Sequence, residues 1–407
     1  MQPVATHPLY DPPGSRSPAQ GGSRTLVAIC PAPLWPQSNG YALRVGNLLS
    51  ELTRTWRTVL VAQPSPQDQD RTAELGLADF VPVDLGAQIA TMPWQLDTAP
   101  LRRTALDVIG RVRPSAVLLW SGAEFLAFDA ELPVTVADRI DCATLSNWRH
   151  AQARSGWIDR YRALRAATQA ALYERRVVRS VAATIVVGDR DAAVLRRISG
   201  RRSVHVVPNG VTLPALSNLH REGPVPTVIF TGVMSFEPNV AAVRFFADAI
   251  WPLVRKAVPN ARFVIAGRQP ADHVRELADR PGIVVVPDVG AMEDVLQDAW
   301  VAVAPMRSGA GIKNKVLEAW SCERPVVMSA IATNGLSLDD ACRSLVADQP
   351  DEFAAHLVRL LGDAGERRRL GRAGYALAAA NHTWAKSADA ISQLLDRHLP
   401  LAAHSAP

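Results

Sequence analysis

Short apolar runs of strand length recur along this chain with helix-length spacers between them, and few arrangements other than a parallel sheet can use that pattern. TLVAIC (25–30), TVLVAQ (58–63), FVPVD (80–84), AVLLW (116–120), VTVAD (134–138), AATIVVGD (182–189) and SVHVV (203–207) form a first series. TVIFTG (227–232), RFVIAG (262–267), IVVVPD (283–288), VAVAP (301–305) and PVVMS (325–329) form a second, with SLVA (344–347) as a candidate last strand. Continuous apolar runs suit strands buried on both faces, and parallel neighbours need long crossovers, so the alternation predicts α/β units with helices on both sides of the sheet.

The chain has 407 residues, more than one hydrophobic core usually serves, so two doubly wound units are expected. Residues 1–23, rich in proline, glycine and serine, read as a disordered tail. Residues 24–208 form the first unit, and 209–225, opened by the turn after Pro208-Asn209-Gly210, form a hinge. Residues 226–384 form the second, and 385–407 hold a last helix and tail. Two such units face across a cleft where ligands meet the carboxyl ends of the strands.

Composition excludes some classes. The four cysteines stand singly, so neither a disulfide framework nor a cysteine zinc site is expected. The start lacks an apolar signal core and no run of about eighteen uncharged apolar residues follows, which makes the cytoplasm the expected compartment. A net charge of +5 suits anionic ligands, but the signatures of nucleic-acid binding are missing. Arginines crowd the helical stretch from Trp148 to Ser180, which bends near Gly156. They form a solvated face, or else a peripheral contact with anionic lipid at the inner membrane face or with a charged acceptor.

The most informative loop is APMRSGAGIKNKVLEAW (304–320). Gly309 and Gly311 let the chain turn closely around a ligand. Asn314 is placed as the N-cap of a helix over 315–322, which Pro325 stops. Arg307, Lys313 and Lys315 converge on the electropositive start of that helix, an arrangement that is unfavourable unless an anion sits among them. A phosphate or diphosphate is the natural resident. Glu318, one turn on, is suited to accept hydrogen bonds from ribose hydroxyls. Together they point to a nucleotide or nucleotide-sugar.

VVPNGV (206–211), FTGVMSFEPN (230–239), RFVIAGRQP (262–270) and APMRSGAGIKNKVLEAWSCERPVV (304–327) resemble the family-4 retaining glycosyltransferases of the GT-B fold. That resemblance implies transfer of a sugar from a nucleoside diphosphate sugar to an acceptor hydroxyl, without a metal or other cofactor. UDP, GDP and dTDP donors are not distinguished, and the acceptor is a glycan, a lipid-linked sugar or a natural-product aglycone. The first unit holds the acceptor, the second the donor, and the last helix crosses back to the first. Arg307, Lys313 and Lys315 then contact the diphosphate and Glu318 the ribose. Gly232, Arg268, Val289, Gly309, Ala310 and Gly311 belong to the donor side, with Gly40 approaching from the first unit. Asn39, Tyr41, Arg139 and Asp141 are placed on the acceptor side. Asp138 orients the acceptor or a sugar hydroxyl with Arg139 offsetting its charge, or else serves an internal ion pair.

Three departures stand out. Ala310 occupies the place where many relatives carry a first glutamate. Pro287-Asp288-Val289 lacks the glycine that often precedes the base-pocket valine, and the arginine-to-lysine pair usual after the first strand of the second unit is missing. A nucleotide-sugar epimerase of similar fold and a non-catalytic anion- or membrane-binding scaffold are the alternatives; a monomer or homodimer fits either.

Overall fold

The computed structural model describes residues 24–35, 40–65, 73–86, 98–153, 156–214, 222–289, 292–309 and 311–399. The tail 1–23, Asn39 and Ala310 therefore lie outside the described residues.

The apolar runs become strands in two sheets. The first contains β1 (Thr25–Cys30), β2 (Arg57–Ala62), β3 (Asp79–Pro82), β4 (Ala116–Trp120), β5 (Val134–Ile140), β6 (Ala183–Val186) and β7 (Val204–Val206), in the order β3-β2-β1-β4-β5-β6-β7. Its pairings from β3 through β5 are parallel. The second contains β8 (Thr227–Thr231), β9 (Arg262–Gly267), β10 (Ile283–Pro287), β11 (Val301–Ala304) and β12 (Val326–Met328), in the order β10-β9-β8-β11-β12, parallel throughout. SLVA contributes only a parallel bridge from Val346 to Met328.

By density of contacts the chain divides into two units. One comprises the chain up to Arg139, Arg176–Thr184 and the part from Ala388 onward; the other comprises Ile140–Arg175 and Ile185–Ser387. In the first, Val27, Ile29, Val59 and Val117 pack under the helix Ala99–Val112 through Leu101, Ala105 and Val108. The last helix, Trp384–His398, reaches this unit with its later turns: Trp56 Nε1 donates to Ser392 Oγ at 3.1 Å, and Arg24 pairs with Asp396.

The core of the second unit is built around Phe246, whose ring lies 4.4 Å from that of Phe263 and 6.0 Å from that of Phe353. The helical stretch between β8 and β9 runs from Glu237 to Ala257 but widens into a π-turn at Phe246–Ile250. Pro252 explains this, because it has no N–H to donate and its ring crowds the carbonyl of Asp248.

Sheet order sets where chemistry can occur. From β8 the chain winds outward through β9 and β10, then returns to place β11 on the other side of β8. The loops after β8 and β11 therefore leave in opposite directions, and the crevice between them is the topological switch point at which open parallel sheets bind ligands.

The helix after β11, Asn314–Ser321, is held by Gly371 and Gly374 on the helix Ala364–Asn381. A Cβ on Gly371 would lie 2.0 Å from the Glu323 carbonyl oxygen, and one on Gly374 would lie 2.3 Å from Trp320 Cδ1. Glycine to alanine inside a helix normally stabilises by about 1 kcal/mol. Here Gly371→Ala should instead destabilise by about 1–3 kcal/mol through overpacking, read as a lower midpoint in urea; an unchanged or raised midpoint would contradict this packing.

Candidate functional site

Lys315 occupies the switch point. It lies in the first turn of the helix Asn314–Ser321, and its Nζ donates to Asn239 Oδ1 at 2.7 Å while resting 4.1 Å from the centre of the Phe230 ring at the end of β8. Asn239, 7% exposed, is fixed by its own amide, which donates to the Val233 carbonyl at 2.9 Å. The backbone is shaped around this contact. Gly232 has φ +152°, and a Cβ there would lie 2.7 Å from Asn239 Nδ2 and 3.3 Å from Lys315 Nζ. A Cβ on Gly267, at the end of β9, would come within 1.7 Å of the Gly232 oxygen.

The ammonium is poorly served by the protein. It has three N–H donors, and among the described residues one acceptor, Asn239 Oδ1. Desolvation pushes its pKa down to about 7, opposed by Glu318 and aided by Lys313. Two donors remain for an anion.

Lys313 is the residue before the helix and is 8% exposed; its Nζ donates to the Gly311 carbonyl at 2.8 Å. Desolvation lowers its pKa to about 8 against the attraction of Asp141. Asp141, expected on the acceptor side, is thus brought to the donor loop: its Oδ1 lies 2.9 Å from the place a Cβ on Gly311 would take. Ile140 before it has φ +64°, a strained conformation for a β-branched residue, and it turns the chain at the end of β5 just where Asp141 leaves the sheet. Gly309 (φ +113°) and Gly311 (φ +69°) occupy conformations that side chains resist. Glu318 is half-buried, and burial raises its pKa against the pull of Lys315.

The expected N-cap is displaced by one residue. The helix starts at Asn314 with Lys313 as its cap, because Asn314 Oδ1 accepts from Asn209 Nδ2 at 3.0 Å and is not turned onto its own helix.

Arg307 does not join the lysines. It is exposed, its guanidinium lies 4.5 Å from the centre of the Phe245 ring, and it borders a cavity of about 240 Å³ with Met306, Ser329, Asp348 and Phe353. Arg268 is also exposed, and its carbonyl accepts from the Met234 N–H at 2.8 Å. Val289 packs half-buried against the core of the second unit. Asp288 before it has φ +51°, so the position resembling a glycine in relatives keeps the left-handed conformation with an aspartate in it.

In the first unit, Asp138 is fully buried and accepts from Arg44 Nε at 2.9 Å. Its charge is met by Arg44, not by Arg139, whose Nη1 donates to the buried Glu124 at 2.6 Å. Sequence alternation concealed these partners because Arg44 sits among the apolar positions of the helix Gly40–Leu52. Tyr41 donates to the Ser121 carbonyl at 3.2 Å and touches Cys30 Sγ at 3.3 Å. A Cβ on Gly40 would meet nothing within 4 Å, so close packing does not require glycine there. Among the described residues no cluster of three or more His, Cys, Asp or Glu is arranged to hold a metal ion.

Asn239 carries the site and was not singled out from sequence. Its only signal is the Pro238-Asn239 pair opening a helix after the Gly232 turn.

Residues 225–363, most of the second unit's sheet and its helices, match the family model for glycosyl transferases group 1. That stretch of the chain is similar to that family. An uncharacterized 44.6 kDa protein in the cps region of Klebsiella pneumoniae is 22% identical over 139 residues, a match covering 32% of this chain and 36% of that relative's length. Three solved structures share the fold. A glycosyltransferase from Rickettsia africae ESF-5 has a TM-score of 0.67 at 8% identity, covering 94% of this chain and 100% of its own. Anabaena Alr3699/HepE in complex with UDP and glucose has 0.64 at 9% identity, covering 92% and 100%. The glycotransferase of kitacinnamycin has 0.54 at 16% identity, covering 93% and 100%. The fold is GT-B: two parallel-sheet, Rossmann-like units.

The Arg44–Asp138 pair is a structural element of the first unit. Removing one partner of a buried pair strands the other charge, so Arg44→Ala should cost about 3–5 kcal/mol in urea unfolding, and Arg44→Met with Asp138→Leu should recover most of it. A loss below about 1 kcal/mol for the single variant would contradict this role.

Proposed function

We propose that this protein is a retaining glycosyltransferase that moves a sugar from a nucleoside diphosphate sugar to an acceptor hydroxyl. The observation that carries the reading is the Lys315 ammonium at the switch point, desolvated and with two donors unspent, beside the start of the helix that also bears Glu318. A diphosphate supplies the oxygens those donors lack. Glu318 lies one turn further along the same helix, and we assign it the ribose diol of the nucleotide. Alr3699/HepE, of the same fold, was solved with UDP and glucose, which makes UDP-glucose the first donor to test.

In the reaction the bond from the anomeric carbon to the β-phosphate oxygen breaks while an acceptor oxygen bonds to the same carbon on the same face. The acceptor proton passes to the departing phosphate. Lys315 and Lys313 stabilise the negative charge that grows on the diphosphate, and the amides of Gly309 and Gly311 lie beside them. Asp141, next to Gly311, keeps Lys313 charged and approaches the donor loop.

The lysines are cationic below their lowered pKa values and lose that charge as pH rises through about 7 and 8. Donor kcat/KM should therefore be flat at low pH and fall above about 7, and a bound diphosphate, which favours the protonated amines, should be accompanied by proton uptake. A profile still level at pH 9 would contradict it.

Lys315→Ala should lower donor-dependent release of nucleoside diphosphate about 10²–10³-fold, the scale of a lost oxyanion donor. Glu318→Ala should raise the Kd for the nucleoside diphosphate about tenfold or more while leaving inorganic pyrophosphate binding nearly unchanged, as expected for removal of a diol acceptor. Full activity of Lys315→Ala would place the phosphates elsewhere. Inversion at C2 of the free donor without transfer would identify an epimerase.

A further inference from the structure

The arginine-rich helix Trp157–Ser180 presents more than charge. Residues 156–162 are all exposed, a run of about 9 Å along the axis at 1.5 Å per residue. This run carries Trp157, 79% exposed, Ile158, 47%, and Tyr161, 63%. Leu172, 66% exposed, continues the same face, since residues 157, 161 and 172 fall within about 60° on a helix of 100° per residue. Trp148, 49% exposed, adds to the surface from the preceding helix, Ala143–Ala153. Soluble surfaces seldom gather large apolar side chains in this way without a partner.

The platform beneath is fixed. On the opposite face Ala167, Ala170 and Glu174 are buried, and the Glu174 carboxylate accepts from the Ala143 N–H at 2.7 Å and the Thr144 N–H at 3.2 Å, binding the two helices together. These bonds anchor the later turns of the helix, and the exposed side chains stand on its opposite face.

Charge selects the occupant. Arg160, Arg162 and Arg165 flank the aromatic residues, and the acid among them, Asp159, lies 3.9 Å from Arg162. A second copy meeting the same surface across a two-fold axis would set these arginines against their equivalents. Nucleic acid is bound by stacking in a basic groove, whereas this is a convex helix end with aliphatic Ile158 and Leu172 in its apolar stripe. An anionic bilayer satisfies every group: tryptophan, tyrosine and isoleucine enter the boundary between headgroups and acyl chains while the arginines remain at the phosphates.

We propose that the exposed start of the helix Trp157–Ser180, with Trp148 beside it, docks the protein on an anionic lipid surface. The surface is remote in chemistry from the sugar-transfer reading and stands whether or not that reading holds.

The experiment is co-sedimentation of the full chain with vesicles of phosphatidylcholine, with or without about one third phosphatidylglycerol. The expected result is binding to the anionic vesicles at low salt, weakened at high salt as exposed charges are screened, and little binding to phosphatidylcholine alone. Trp157→Ser with Tyr161→Ser should lower the bound fraction about tenfold with an unchanged unfolding midpoint, because both side chains are exposed; Arg160→Gln with Arg162→Gln should lower it and flatten its salt dependence. Absence of anionic-vesicle binding, or equal binding by the Trp157/Tyr161 variant, overturns the proposal. So does a dimer in light scattering that this variant dissolves, or tighter binding to a single-stranded oligonucleotide than to the vesicles.

Discussion

Holding an ammonium group partly out of water beside the edge of a parallel sheet is costly, and the second unit is arranged around that cost. Lys315 receives one amide oxygen, from Asn239, and the face of one ring, from Phe230. Neither carries a full negative charge, and the attraction of Glu318 does not offset desolvation, so the lysine remains close to giving up its proton near neutral pH. A carboxylate in the place of Asn239 would have stabilised the cation and filled the site with its own counter-ion. The neutral amide orients the ammonium and leaves its charge for a ligand.

The backbone requirements follow from that choice. Gly232 and Gly267 lack side chains because the Asn239 amide and the Gly232 carbonyl occupy the space. The helix that bears Lys315 and Glu318 is pinned from behind by close packing of Gly371 on the Glu323 carbonyl and of Gly374 on Trp320. Strand order puts the two loops at the switch point, but these glycine contacts fix where the lysine comes to rest. The buried pairs of the first unit do different work: Arg44–Asp138 and Arg139–Glu124 neutralise charges within the protein and leave little of them for a ligand.

Much of this was legible in the sequence, for identifiable reasons. The continuous apolar runs gave the strands because parallel strands buried on both faces carry no polar alternation to confuse them, and only SLVA shrank to a bridge. The donor loop was readable because glycines and lysines at the start of a helix have few other uses. Side-chain direction was not readable. Arg307 lies on Phe245 and not beside Lys313, and nothing in the spacing of charges distinguishes the two outcomes. Asp138 found Arg44, a residue 94 positions away in the chain. Asn314 lost its role as cap to a hydrogen bond from Asn209, again a tertiary contact invisible to local pattern. Asn239 escaped notice because an asparagine after proline at a helix start normally reads as local capping.

The most direct measurement is a crystal structure of the protein with a nucleoside diphosphate bound. The account predicts phosphate oxygens within hydrogen-bond distance of Lys315 Nζ, with Asn239 still accepting from the same ammonium and the ribose hydroxyls against Glu318. A diphosphate bound elsewhere, with Lys315 unchanged and touching only Asn239 and Phe230, would contradict it.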